Sequence, residues 1–163
     1  MVVAAILIGA VATEFSGTYR SMQIASAAGR LGDMMAFCYG AAATQLANYR
    51  LHVDPETGRA WVAREMIDEE TGAREYQVVS APGVSSFMLP EAVVFDAQDM
   101  ESLLNRAESG EYYIQFRRDG TADFTRLRLL AERAAPMDVN LNGLTGRVTV
   151  REAPPEELEA EGE

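Results

Sequence analysis

The sequence predicts an α+β fold in which a long N-terminal α-helix, apolar in its first half, packs by its second half on antiparallel β-hairpins. Two changes in residue pattern along the chain predict it. Up to about residue 48, apolar residues recur every three or four positions, which is the spacing of one helical face. After that point apolar and polar residues alternate, and Gly-containing turn motifs separate the alternating stretches, as in hairpins.

The helical part contains no proline between Phe15 and Tyr49, so one helix can run from near Met1 to about Asn48. Its glycines weaken the helix but allow another backbone to approach closely. We expect the apolar stripe of its second half to cover a sheet. This stripe consists of Leu31, Met35, Cys38, Ala42, Leu46 and Tyr49.

The first twelve residues, MVVAAILIGAVA, carry no charge. At about 1.5 Å per residue they span roughly 18 Å, which is less than the ~30 Å hydrocarbon core of a bilayer. They are therefore a signal peptide, a buried core helix, or part of a longer membrane segment whose first residues precede this sequence. We favour the last, because a signal peptide needs a positive n-region. The expected membrane and assembly residues are Val2, Val3, Ile6, Leu7, Ile8 and Val11.

Beyond the helix, three hairpins are predicted, together with a further polar hairpin tip at residues 68–72 that leads into a strand at residues 76–79. Residues 50–54 and 59–65 flank a turn that begins with Pro55, and Trp61 is expected to anchor this first hairpin on the helix. Asp119-Gly120 separates residues 112–117 from 124–130, which is a strong hairpin signal. The third hairpin joins residues 137–141 to 147–151.

Composition limits the function classes. The net charge of −11 disfavours nucleic acid as the main partner, because duplex binding needs a cationic surface. A single cysteine and a single histidine exclude an internal disulfide and a Cys- or His-rich metal site.

The chain divides into three parts. Residues 1–28 are expected to form an apolar membrane or fibre-core part of the helix, and residues 29–151 a globular β domain that includes the second half of the helix. Residues 152–163 are an acidic tail that is expected to be disordered.

The C-terminal third carries a family resemblance. The stretch YIQFRRDGTAD at residues 113–123, followed by VNLNGLTGRV at residues 139–148, resembles the C-terminal signature of type IV pilin-like proteins, specifically the H-type minor pseudopilins of the type II (general) secretion pathway. The apolar residues 2–11 resemble the interior of the prepilin helix. The basic leader, the glycine at the peptidase cut and the Phe-Thr-Leu-Ile-Glu start of that family are not present, so the prepilin motif is expected to be truncated here.

The resemblance implies a structural subunit and no enzyme. Before assembly the N-terminal helix would lie in inner-membrane lipid as a single-pass segment, with the globular domain in the periplasm. The subunit would then pack against other pseudopilin or pilin subunits and work with the secretion machinery. Two alternatives remain open: a minor type IV pilin that binds a ligand or DNA, and a periplasmic β-domain protein released by signal peptidase.

Few residues suggest chemistry, and no catalytic, cofactor or metal site is predicted. His52 is expected to face solvent on a strand, and Cys38 to be buried as a small hydrophobe. Asp119 and Asp123 resemble a calcium loop only faintly, because the further oxygen ligands are absent. A possible nucleic-acid patch comprises Arg117, Arg118, Arg126 and Arg128, although pairing of these arginines with nearby carboxylates is the simpler expectation.

Overall fold

A computed structural model describes residues 2–84 and 86–154, with side chains from Gly17 onward. The first helix, α1, spans Val2–Gln45. The remaining elements follow in chain order: β1 (Tyr49–Asp54), β2 (Arg59–Ile67), β3 (Arg74–Val78), β4 (Phe87–Met88), β5 (Val93–Phe95), α2 (Ala97–Leu103), β6 (Asn105–Arg106), β7 (Tyr112–Phe116), β8 (Thr125–Ala131), β9 (Met137–Leu141) and β10 (Val148–Glu152).

The strands form two antiparallel sheets. The first sheet has the order β3-β2-β1-β7-β6. The short strand β4 pairs with Arg59 and Ala60 at the start of β2. The second sheet has the order β10-β9-β8-β5. The predicted first hairpin, β1–β2, and the predicted third hairpin, β9–β10, are both present in antiparallel register.

One face of α1 packs on both sheets and forms the core with them. Its buried side chains include Ile24, Leu31, Met35 and Cys38, each at most 1% exposed. The predicted stripe is therefore confirmed from Leu31 to Ala42.

The end of that stripe is a correction. Leu46 is 73% exposed and has a φ of 50°. Because this left-handed conformation ends the helix after Gln45, the side chain of Leu46 leaves the apolar face. Tyr49 is buried as predicted, but it lies in β1 rather than on the helix.

The predicted hairpin around Asp119-Gly120 forms only next to its turn, where Phe116 and Ala122 make a single antiparallel bridge. The tight turn itself forms, because the Arg117 N–H donates to the Thr121 carbonyl over 2.7 Å and Gly120 has a φ of +84°. However, β7 pairs with β1, whereas β8 pairs with β9 in the other sheet. Beyond the turn, the Ala122 N–H donates to the Gly143 carbonyl over 2.8 Å, and the chain then enters β8 in the second sheet. Local turn chemistry therefore determines the turn, but it does not determine which strands pair with β7 and β8.

The ends of the chain bear on two further predictions. No helix among the described residues combines the length and apolar character needed to cross a membrane. The six expected membrane and assembly residues, from Val2 to Val11, lie in the part of α1 whose side chains are outside the described structure. At the other end β10 continues through Glu152, and the Ala153 N–H donates to the Pro136 carbonyl. Residues 155–163 of the predicted tail are outside the described residues.

Candidate functional site

The face of α1 that points away from the sheets is built mostly from small side chains. Its residues are spaced alternately four and three apart, so they lie along one side of the helix. All except the half-buried Gly29 are exposed. We call this set the outward face of α1: Met22, Ser26, Gly29, Asp33, Ala36, Gly40 and Ala43.

The glycines of α1 differ according to the face they occupy. A Cβ built on Gly32 would lie 3.2 Å from Val150 Cγ2, so this glycine allows β10 to pack closely on the helix. A Cβ on Gly29 or Gly40 would meet nothing within 4 Å. Glycine within a helix costs about 1 kcal/mol relative to alanine. Packing within the described chain therefore gives no reason for glycine at these two outward positions.

A second surface, the outer face of the first sheet, carries a continuous stack of cationic and aromatic side chains. Arg50 lies between two tyrosine rings, with its guanidinium carbon 3.8 Å and 4.1 Å from the ring centroids of Tyr76 and Tyr113. The imidazole of His52 comes next in the stack, where it contacts the ring of Tyr113 and the ring of Trp61. The stack runs in the order Tyr76, Arg50, Tyr113, His52, Trp61, Arg59.

This stack corrects two predictions. His52 does lie on the polar side of its strand, but its neighbours cover it and leave it only 6% exposed. Trp61 lies beside His52 on the face turned away from α1, so it does not anchor the hairpin on the helix. Alternation placed His52 on the correct face of β1, whereas the expectation for Trp61 put it on the wrong face of β2. Alternation also did not show that Tyr113 and Glu111 lie against His52 on this face.

The protonation of His52 is controlled by its surroundings. Burial lowers its pKa most strongly, and the nearby Arg50 lowers it further, while Glu111 acts in the opposite direction. His52 Nδ1 lies 3.3 Å from Glu111 Oε1, but the two atoms do not form a hydrogen bond. The pKa of Glu111 is lowered chiefly by a hydrogen bond with Ser109. The pair is therefore best described as a neutral imidazole beside an ionised carboxylate.

The four arginines of the predicted nucleic-acid patch are held in different ways. Three of them pair with a carboxylate, and Arg118 is exposed. Arg128 is buried, and its Nε and Nη2 donate to Asp138 over 2.8 and 3.1 Å. The pairs are Arg117 with Asp123, Arg126 with Asp99 and Arg128 with Asp138. Binding of DNA by these arginines stays a prediction.

The remaining candidates have structural partners. Cys38 is fully buried, and burial raises the pKa of its thiol. Asp119 Oδ1 accepts hydrogen bonds from the amide and the hydroxyl of Thr121, as expected for turn chemistry. Among residues 17–84 and 86–154, no three His, Cys, Asp or Glu side chains are grouped so as to hold a metal ion.

Comparison with solved structures identifies the fold. Two structures of the minor pseudopilin EpsH from the type II secretion system of Vibrio cholerae superimpose on the chain. One has a TM-score of 0.58 at 13% identity, and the match covers 83% of this chain and 99% of the EpsH chain in that structure. The protein has the pilin-like fold of EpsH. The second structure has a TM-score of 0.60 at 11% identity, and the match covers 82% of this chain and 96% of the EpsH chain in that structure.

The predicted fold class, a long N-terminal helix on antiparallel sheets, is confirmed by this match to EpsH. No protein-family model matches the sequence, and no curated protein sequence matches it. The resemblance read from residues 113–123 and 139–148 thus agrees with the structure, although identity to EpsH is low throughout.

Proposed function

We propose that the protein is a structural pseudopilin subunit of a type II secretion pseudopilus. The observation that carries this proposal is the EpsH-like fold, which extends over 83% of this chain and 99% of the EpsH chain in the solved structure. EpsH is a minor pseudopilin of such a system, and its fold combines a long helix with a β domain as here. The subunit supports protein secretion by assembly and makes or breaks no bond itself.

In this proposal α1 is the assembly element. Its inward face is occupied by the core, whereas its outward face is free of contacts with the described sheets. Small residues allow helices to approach closely and to gain van der Waals contact. Gly29 and Gly40 would then allow close contacts with helices of neighbouring pseudopilins. Packing within the chain itself does not require glycine at either position.

The proposed location follows from the same arrangement. The N-terminal part of α1 would associate with the inner membrane before assembly, and the β domain would lie in the periplasm. After assembly the subunit would belong to an envelope-associated pseudopilus, with other pseudopilins and the secretion machinery as partners.

A secretion assay with the full-length protein tests the proposal. Deletion of the gene should abolish secretion of type II substrates, and the wild-type gene should restore it. The double variant Gly29→Leu/Gly40→Leu should fold but lose at least about 90% of the cross-links to other pseudopilins, because leucine holds helices apart. Ser102→Leu, an exposed change on α2, is the matched control and should behave as wild type. Undiminished secretion after deletion, together with no cross-link to any pseudopilin, would overturn the proposal.

A further inference from the structure

A groove of about 630 Å³ lies on the outer face of the first sheet, beside the stack described above. The segment between β6 and β7 borders one side of it, with Glu108 and Glu111 among the lining residues, and Arg106 at the end of β6 is another. Tyr76 and Tyr113 line it as well, and the sheet supplies apolar surface through Ala63 and Val78.

Arg50 occupies an unusual position in this groove. Its guanidinium carbon lies 3.8 Å and 4.1 Å from the ring centroids of Tyr76 and Tyr113, and its Nε donates to Gln115 Oε1 over 2.9 Å. The amide nitrogen of Gln115 donates in turn to the Tyr49 carbonyl, which fixes the orientation of Gln115. Yet among the side chains that the structure describes, no carboxylate lies within 4.0 Å of Arg50. Its positive charge is therefore held rigidly but not neutralised by a partner.

The remaining donors of Arg50 are the N–H groups at the edge of its guanidinium. A planar guanidinium edge matches a carboxylate in a bidentate arrangement. The two rings already restrict the side chain, so a ligand gains these hydrogen bonds with little further loss of rotamer freedom. Arg106 also lines the groove, and none of the described carboxylates lies within ion-pair distance of it.

The acidic side chains of the groove limit what can bind. Glu111 is engaged by Ser109 and lies beside His52, and Glu108 is exposed. The carboxylates of Glu108 and Glu111 among the lining residues disfavour a ligand with several negative charges. A single carboxylate flanked by uncharged groups fits, and the aromatic and apolar lining can contact those neighbours.

We propose that this groove binds one acidic side chain of a partner polypeptide, with the guanidinium edge of Arg50 as the carboxylate receptor. Tyr76 and Tyr113 are positioning residues that hold Arg50. This inference goes beyond the proposed function, because it needs only the folded domain and not an assembled fibre.

The single tryptophan provides a direct readout, since Trp61 lines the groove. The full-length protein is titrated with the peptide acetyl-Ala-Ala-Glu-Ala-Ala-amide while the fluorescence of Trp61 is recorded. We expect a saturable change with a dissociation constant below about 1 mM. The matching glutamine peptide should bind at least about tenfold more weakly, because it lacks the charge-assisted hydrogen bonds.

Three variants locate the receptor. Arg50→Gln should weaken binding of the glutamate peptide at least about tenfold. Arg50→Lys keeps the charge but not the planar fork, so it should also weaken binding, and it serves if Arg50→Gln does not fold. Arg151→Gln, an exposed arginine on β10, is the matched control and should bind as wild type.

The proposal is overturned if the glutamine peptide binds as well as the glutamate peptide, if neither Arg50 variant changes the dissociation constant, or if no saturable change occurs. Sodium acetate and glucuronate are tested as competitors. Displacement by either at a lower concentration than the peptide itself would overturn the assignment to a polypeptide. Since this titration needs no assembly, a negative result would not contradict the proposed role in secretion. A negative secretion result would likewise not contradict peptide binding in the groove.

Discussion

His52 and Trp61 stack face to face across β1 and β2, with ring centroids 5.2 Å apart and ring planes inclined by 6°. The stack buries the only histidine of the chain on the outer side of a sheet, where strand alternation alone predicts an exposed residue. A buried imidazole resists protonation because the charged form loses its hydration. The stability of the domain should therefore depend on the state of this ring.

The first prediction concerns pH. Because the pKa of His52 is lowered in the folded protein, chiefly by burial, the unfolded chain binds a proton that the folded chain does not. The stabilising contribution is complete above the unfolded pKa of ~6.5 and is lost as pH falls through the lower folded pKa. The free energy of unfolding should thus decrease below about pH 6.5, which urea unfolding at a series of pH values measures.

His52→Gln removes the titrating group and should remove this contribution to the pH slope. The single histidine also gives one imidazole signal in an NMR titration, so the assignment is unambiguous. A midpoint above ~6.5 in the folded protein would contradict the burial argument.

The second prediction concerns the buried pair of Arg128 and Asp138, which are 8% and 1% exposed. Asp138→Asn removes the carboxylate that accepts from Arg128, and loss of one partner of a buried pair costs about 3–5 kcal/mol. Replacement of both residues by leucine should recover most of that loss, because no buried charge then remains. Urea unfolding measures both variants. A loss below about 1 kcal/mol in Asp138→Asn would show that water already reaches the pair.

The third prediction contrasts two glycines. Gly146 has a φ of +68°, and a Cβ there would lie 2.2 Å from Tyr39 Cε1. Gly146→Ala should therefore destabilise the domain by at least about 1–3 kcal/mol. Gly29→Ala is the matched control, since its Cβ meets nothing within 4 Å and alanine favours the helix by roughly 1 kcal/mol. Thermal unfolding should show opposite shifts, and equal shifts would contradict the packing described here.

The fourth prediction concerns Cys38, whose thiol is buried and whose pKa is raised by that burial. Since the thiolate is the reacting form, iodoacetamide should not label the native protein at pH 8. Labelling should become complete in denaturant, which mass spectrometry detects. Rapid labelling in native buffer would show that α1 separates from the sheets far more often than its burial implies.

The sequence predicted the parts of the fold that follow from local periodicity. The helical spacing from Leu31 to Ala42 identified the buried face of α1, because a helix repeats every 3.6 residues wherever it packs. The alternation at Val139 and Leu141 likewise identified the core face of β9. The fold class followed from these faces and from the resemblance of the C-terminal stretch.

Pairing between distant segments was not predictable in the same way. The Asp119-Gly120 turn gave no sign that β7 and β8 belong to different sheets, since that depends on partners such as Tyr49 and Leu141 far along the chain. Arg50 was overlooked for the same reason. Nothing near it in sequence shows that the rings of Tyr76 and Tyr113 will both contact its guanidinium.

Because α1 packs on both sheets, a pull along its axis would load the whole length from Ile24 to Ala42 in shear. These closely packed side chains cannot slide singly past their neighbours, so they must yield together. Any tension carried by the helix would consequently reach both sheets at once. The helix and both sheets would therefore respond to force as one mechanical unit.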